Sequence, residues 1–183
     1  MMSYKRVMRA EELLACGLWA LYERAFPREE RRSWEQHCRA MEEESVFRCL
    51  SLSDDGEVVG LMFCWELTGC LFIEHFAIDE SKRGRGLGQA ALRLLQQECK
   101  LIILEIELPE DEVTCRRLRF YRAAGFVLLP YEHVQRPFHA DTSALSMKLL
   151  SWPTVVPAGV VHDFEVELAG RVMQYSGAPT ISY

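Results

Sequence analysis

The sequence predicts a single α/β domain whose first strands form an antiparallel meander and whose second half alternates helices with strands. Three observations carry this expectation. Residues 46–79 are strand-length apolar runs, VFRCLSL, EVVGLMFCWEL and CLFIEHFAID, separated by Asp54-Asp55-Gly56 and Thr68-Gly69. The stretch from His75 to Leu95, HFAIDESKRGRGLGQAALRLL, feeds one of those runs through a glycine-rich, cationic turn into an amphipathic run. Finally, EDEVTCRRLRFYRAAGF reads as a helix that stops at Gly125. A chain of 183 residues, 49% hydrophobic and 26% charged, can bury a substantial core as one domain.

Along the chain, residues 11–25 set Leu14, Leu18, Leu21 and Ala25 at helical spacing, and Pro27 ends that run. A second helix is expected over 33–43, opened by Ser33 as N-cap. Asp-Gly supplies the positive φ that a tight hairpin needs between the first two strands of the meander. A helix follows from about Gly86 to Cys99, with Leu87, Ala91, Leu94 and Leu95 along one face. LIILEIEL is a buried strand, and Pro109 with its three following acids marks the next helix start. FVLLPYEHV and SALSMKLLSW are the last two expected strands, which closes the domain at residue 152. After Pro153 and Pro157, Phe164, Leu168, Val172 and Tyr175 share helical spacing, so residues 153–183 are expected to dock as a C-terminal helix.

Net charge narrows the function classes. At −6, with a pI near 5.4, the chain has no overall basic field to hold nucleic acid. No run reaches membrane-spanning length, and the N-terminus lacks the apolar stretch of a signal peptide. Seven scattered cysteines suit a reducing compartment, and cytoplasm is the expected location. With no C-x-x-C and no H-x-x-x-H spacing, no metal site is expected.

A strand, a glycine-rich turn and a helix together aim backbone N–H groups and a helix dipole at one point, which suits a phosphate or diphosphate. Two ligands compete for it. Gly86-x-Gly88-x-x-Ala91 fits a dinucleotide fingerprint, with Glu105 or Glu107 near the end of the next strand, and would make the protein an NAD(P)-linked oxidoreductase. Against this reading stand the charged lead-in from Asp79 to Arg85 and the antiparallel strands before it. The other reading is Arg83-x-x-Gly86-x-Gly88, followed one strand and one helix later by Phe120-Tyr121-Arg122-Ala123-Ala124-Gly125-Phe126. In this order, the two motifs resemble the GNAT superfamily of acetyl-CoA-dependent N-acetyltransferases over roughly residues 3–150.

That resemblance implies a mixed, mostly antiparallel sheet, flanked by helices and splayed between the strands at 70–79 and 101–108. Acetyl-CoA would lie in the split, its pantetheine arm paired with the backbone of Phe76, Ala77 and Ile78. Its pyrophosphate would sit on the amides of Arg83, Gly84, Arg85, Gly86, Leu87 and Gly88. Tyr121 matches the family tyrosine placed as general acid to the departing sulfur. Thr114 stands where many relatives carry an asparagine, and its hydroxyl is the corresponding pantetheine ligand. The acceptor implied is a small-molecule or peptide amine, served by a monomer or homodimer. A non-catalytic acyl-CoA-binding module is the alternative that keeps the turn and lacks a base.

For the base, the residues leave two candidates open. Glu74 lies mid-strand among Phe72, Ile73 and Phe76, where burial is expected to raise its pKa. Glu105 lies on the facing strand. A hydrogen-bonded or water-facing strand acid explains either equally well. By strand alternation, His75 is expected to point away from Glu74.

Overall fold

The protein is described over residues 1–177 in a computed structural model, so the last six residues of the expected C-terminal extension lie outside the described residues. β1 (Met2–Val7), α1 (Ala10–Ala15), α2 (Leu18–Ala25) and α3 (Trp34–Glu43) lead into the meander of β2 (Phe47–Asp54), β3 (Glu57–Leu67) and β4 (Cys70–Ile78). Then come α4 (Leu87–Glu98), β5 (Ile102–Glu107), α5 (Glu112–Ala123), β6 (Val127–Leu128), β7 (His133–Gln135) and β8 (Leu145–Trp152). The strands form one sheet in the order β1-β2-β3-β4-β5-β8-β6, with β7 also on β8. This is the mixed, mostly antiparallel sheet that the motifs imply.

Asp55 (φ 48°) and Gly56 (φ 82°) both take positive φ in the β2–β3 turn, as a two-residue hairpin with right-twisted strands requires. Ser33 caps α3 by accepting from the Gln36 amide, while the Gln36 side chain returns to the Ser33 amide. Residues 2–7 form an edge strand that the sequence reading did not single out, with alternate residues half-buried. Two local expectations are corrected. The first helix is broken by Gly17 in the left-handed conformation (φ 72°), which shifts the buried phase to Leu13 and leaves Leu14 exposed. FVLLPYEHV is two short strands, because Pro130 interrupts the ladder between them.

β4 and β5 are the only parallel neighbours among the described strands, and they pair only through Leu71, Phe72 and Ile73 with Ile102, Ile103 and Leu104. Beyond Ile73 the strands part. The divergence begins at a β-bulge: Phe63 faces His75 and Cys64 faces Ile73, so Glu74 has no partner on β3. An extra residue inverts the alternation, and His75 therefore lies on the same face as Glu74, its Nδ1 3.6 Å from the carboxylate. The expectation of opposite faces fails for that reason.

The sheet separates two cores. One face packs α1, α2, α3 and the C-terminal segment, while the other packs α4 and α5. α6 (Ala158–Glu167) continues through a π-helical turn (Leu168–Val172) and a 3-10 turn (Met173–Tyr175). Phe164, Leu168, Val172 and Tyr175 are all buried in the first core, as their spacing predicts. Among the described residues no helix is long and apolar enough to cross a membrane. One βαβ unit, β4-α4-β5, in an otherwise antiparallel sheet does not build a dinucleotide fold.

Candidate active site

The glycine turn has the shape of an anion cradle. Gly84 (φ 79°) and Gly86 (φ 73°) both need the left-handed region, and Gly86 caps α4 without any side-chain hydrogen bond to the first-turn amides. The first-turn amides of α4 are therefore available to an outside acceptor. A Cβ on Gly84 or Gly86 would meet nothing within 4 Å, so the turn is open to its surroundings. Arg83 is exposed and donates to the Ile78 carbonyl, Arg85 reaches Asp54, and the Leu87 side chain is buried, leaving only its backbone for a ligand. Gly88 has a different reason to be glycine. A Cβ there would come within 2.9 Å of the Phe120 ring, so its absence lets α4 seat against α5.

On the α4 side of the split, Phe76 and Ile78 are half-buried and Ala77 faces the opposite core; beyond Ile73 the β4 edge toward β5 has no strand partner, and its Ile78 carbonyl is met by Arg83. Tyr121 lies in the same core as Phe76 and Ile78, between Phe120 and Phe126, with ring centroids at 5.1 and 5.7 Å. Burial pushes its phenol up to about 12, so the hydroxyl carries its proton at neutral pH. Among the described residues that hydroxyl makes no hydrogen bond. Thr114, in contrast, is already committed. It closes a capping box with Asp111 at the start of α5, its Oγ accepting from the Glu110 and Asp111 amides and donating to the Asp111 carboxylate. The pantetheine role expected of Thr114 thus meets a hydroxyl with another occupation.

The two glutamates occupy different environments. Glu74 is buried, and its Oε2 accepts from Arg32 at 2.5 Å and from the Trp65 indole at 2.9 Å. Burial alone raises such a carboxyl, but the Arg32 guanidinium and the adjoining His75 ring outweigh it and hold Glu74 well below the usual carboxylate range. The expected upward shift is thereby reversed. Glu105 instead joins a chain of titratable groups. Its Oε1 meets His133 Nε2 at 2.5 Å, its Oε2 accepts from Gln135 at 3.0 Å, and His133 Nδ1 meets Glu165 Oε1 at 2.9 Å. Burial works against a charged ring at His133, yet the flanking carboxylates of Glu105 and Glu165 prevail and raise its pKa. The side chains of Glu105 and His133 are 5% and 2% exposed while that of Glu165 is 40% exposed, so the chain runs from the interior to solvent.

These groups line a cavity of 290 Å³ on the sheet face opposite α4, bounded by β4, β5, β7 and the C-terminal segment. Glu74 and Glu105 both reach it from the two sides of the split. Arg32, His133, Gln135 and Glu165 carry no motif, and sequence reasoning missed them because their partners lie 28 to 140 residues away. Glu30, at the end of a short turn whose carbonyl meets His75 at 2.7 Å, is a further missed acid, its carboxyl raised by burial against the pull of Arg117.

The sequence matches the Acetyltransferase (GNAT) family over residues 13–126. YjbC of Bacillus subtilis (strain 168) is 30% identical over 131 residues, which is 69% of this chain and 65% of that protein, so the chain spans just under two thirds of that relative's length. Among solved structures, a GNAT-family protein from Bacteroides thetaiotaomicron superposes with a TM-score of 0.87 at 24% identity, covering 97% of this chain and 99% of that one. YncA from Salmonella typhimurium, solved with its cofactor acetyl-CoA, superposes with a TM-score of 0.55 at 14% identity, covering 86% and 97% respectively. At these identities, both structures speak for the fold.

Proposed function

The chain belongs to the GNAT family of acetyltransferases, and from that premise we propose that it transfers the acetyl group of acetyl-CoA directly to a primary amine held in the cavity between β4 and β5. Acetyl-CoA supplies an activated thioester: the C–N bond forms, the C–S bond breaks, and the sulfur leaves as a thiolate. The chain's own residues then have four tasks. The α4 N-terminus with Gly84 and Gly86 binds the diphosphate, where amides and dipole favour negative charge. The free edge of β4 at Phe76, Ala77 and Ile78 pairs with the extended arm and offers N–H groups to the carbonyl oxygen. Glu105 accepts the proton that the ammonium must lose before nitrogen can attack, and His133 can release its Nδ1 proton to Glu165 to compensate the charge. Tyr121, protonated at neutral pH, gives its proton to the thiolate, and the second proton, shed by the new amide nitrogen as the tetrahedral adduct collapses, restores the phenol.

The observation that supports this reading most is the pairing of two features across one split: an unpaired β4 edge on one side and a buried acid wired to solvent on the other. Glu105 is preferred to Glu74 as base because Arg32 keeps Glu74 ionised.

Cofactor binding is tested by Gly86→Val. The variant forces a β-branched residue to φ 73° without any clash, so it disturbs the cradle and not the core. Calorimetry is expected to show acetyl-CoA affinity lowered at least about tenfold, the loss of one charge-assisted contact of roughly 1.5–3 kcal/mol. An unchanged affinity in a folded Gly86→Val protein contradicts the assignment of the turn.

The acid is tested by Tyr121→Phe, which keeps the ring and its packing. Turnover is expected to fall by roughly one to three decades, at or below the span of a positioned acid, with the Kd for acetyl-CoA unchanged. The loss should shrink with acyl donors of more acidic thiols. Equal rates for Phe and Tyr would leave Tyr121 with a packing role alone.

A further inference from the structure

Two residues that line the acceptor cavity each carry an oxygen without a partner. Glu74 Oε1 and Gln135 Oε1 are buried without a hydrogen bond, and both residues line the same 290 Å³ space. The orientation of Gln135 is fixed by its neighbour. Its Nε2 donates to Glu105 Oε2 at 3.0 Å, and since a carboxylate only accepts, the amide oxygen is the atom left facing elsewhere. Leaving a buried acceptor unpaired is costly, so two on residues of one cavity mark a place that a donor is meant to fill. The donors of the lining are engaged elsewhere: His133 has both ring nitrogens bonded, and Arg136, the other cation of the lining, already has a partner. The unpaired donors beside Glu74, His75 Nδ1 and Arg32 Nε, do not line the cavity.

The rest of the lining defines the donor. Among the charged residues of the lining, Glu74, Glu105, Glu132 and Glu165 outnumber His133 and Arg136, which favours a cation, while Phe72, Phe138, Leu168 and Met173 offer apolar surface to methylenes. The volume is at the small end of ligand pockets, which suits a compact molecule. The cavity also presents two distinct environments for nitrogen. Glu105, backed by His133, faces a nitrogen that gives up a proton; Glu74, with its other oxygen on Arg32 and Trp65, and Gln135 face a nitrogen that keeps its protons.

We infer that the acceptor is a short aliphatic diamine, one amine receiving the acetyl group beside Glu105 while the second stays an ammonium bonded to Glu74 Oε1 and Gln135 Oε1. This rests on the acetyl-transfer reading above and names its substrate class. An ammonium has three donors and satisfies both orphan oxygens at once, whereas an alkyl end satisfies neither.

The test compares 1,5-diaminopentane with 1-aminopentane in two measurements. In calorimetry on the protein saturated with CoA, the diamine is expected to bind about 10- to 100-fold more tightly, the worth of hydrogen bonds to a charged group. In turnover with acetyl-CoA, kcat/KM is expected to favour the diamine by a similar factor, and Gln135→Met should reduce that preference in both. Diamine binding without turnover would uphold the diamine site in the cavity but overturn the acetyl-transfer reading, and with it the diamine's role as acceptor. Turnover of other amines, including a peptide amine, without a preference for the diamine would do the reverse. Equal binding of the two probes, or binding of neither, overturns the inference with no need of the variant.

Discussion

Replacing Glu105 by Gln is expected to lower kcat/KM for the best amine by about 10²- to 10⁴-fold, the span of a positioned general base. Gln keeps the size of the side chain and one oxygen for a hydrogen bond, but it cannot take a proton. The Kd for acetyl-CoA should be unchanged, because Glu105 faces the acceptor cavity and the diphosphate turn lies at the far end of β4. Pre-steady-state thiol release places the loss in chemistry and not in cofactor binding. Near-parental activity in the Gln variant would remove Glu105 as base and make Glu30 the next acid to replace, since its carboxyl is raised by burial close to the same groups.

Arg32→Ala is expected to be the most destabilising single change among the residues around the site. Arg32 has no exposure, donates to Glu74 at 2.5 Å and to the Val172 carbonyl at 2.9 Å, and lies 5.2–5.7 Å from the ring centres of Phe47, Trp65 and Phe138. It ties the bulged strand to the C-terminal turn. Its removal strands the Glu74 charge in the core, which costs about 3–5 kcal/mol against a total stability of about 5–15 kcal/mol. Because the folded pKa of Glu74 lies below its ordinary 4.5, its stabilising contribution is full above that pH and fades as pH falls toward the folded value. The melting temperatures of parent and variant should therefore differ most near neutrality and converge below about pH 4.5. Adding Glu74→Gln to Arg32→Met should recover part of the loss, since no unpaired charge remains. A pH-independent gap would show that the guanidinium acts through packing alone.

Legibility divides along a physical line. The meander, the glycine turn, the α5 end at Gly125 and the buried face of α6 are all local patterns: period two, period 3.6, and positive φ at glycine. Where local pattern failed, one residue shifted a phase. Gly17 restarted a helix, and the extra residue at Glu74 turned His75 onto the face of its neighbour. The candidate site was half legible. Its backbone parts and Tyr121 came from the motifs and the family resemblance, and Glu105 from its place on the facing strand. Arg32, His133 and Glu165 were not readable, because a buried polar residue is defined by partners that only tertiary structure supplies.

Acetyl transfer to an amine, carried out by this cavity and this turn together, can be measured directly. The direct measurement follows free thiol from acetyl-CoA and N-acetyl product by mass spectrometry, across amines that include the diamine. Thiol release is expected to depend on the amine, with one acetylated amine for each thiol. Tight acetyl-CoA binding with thiol release that no amine accelerates would contradict it.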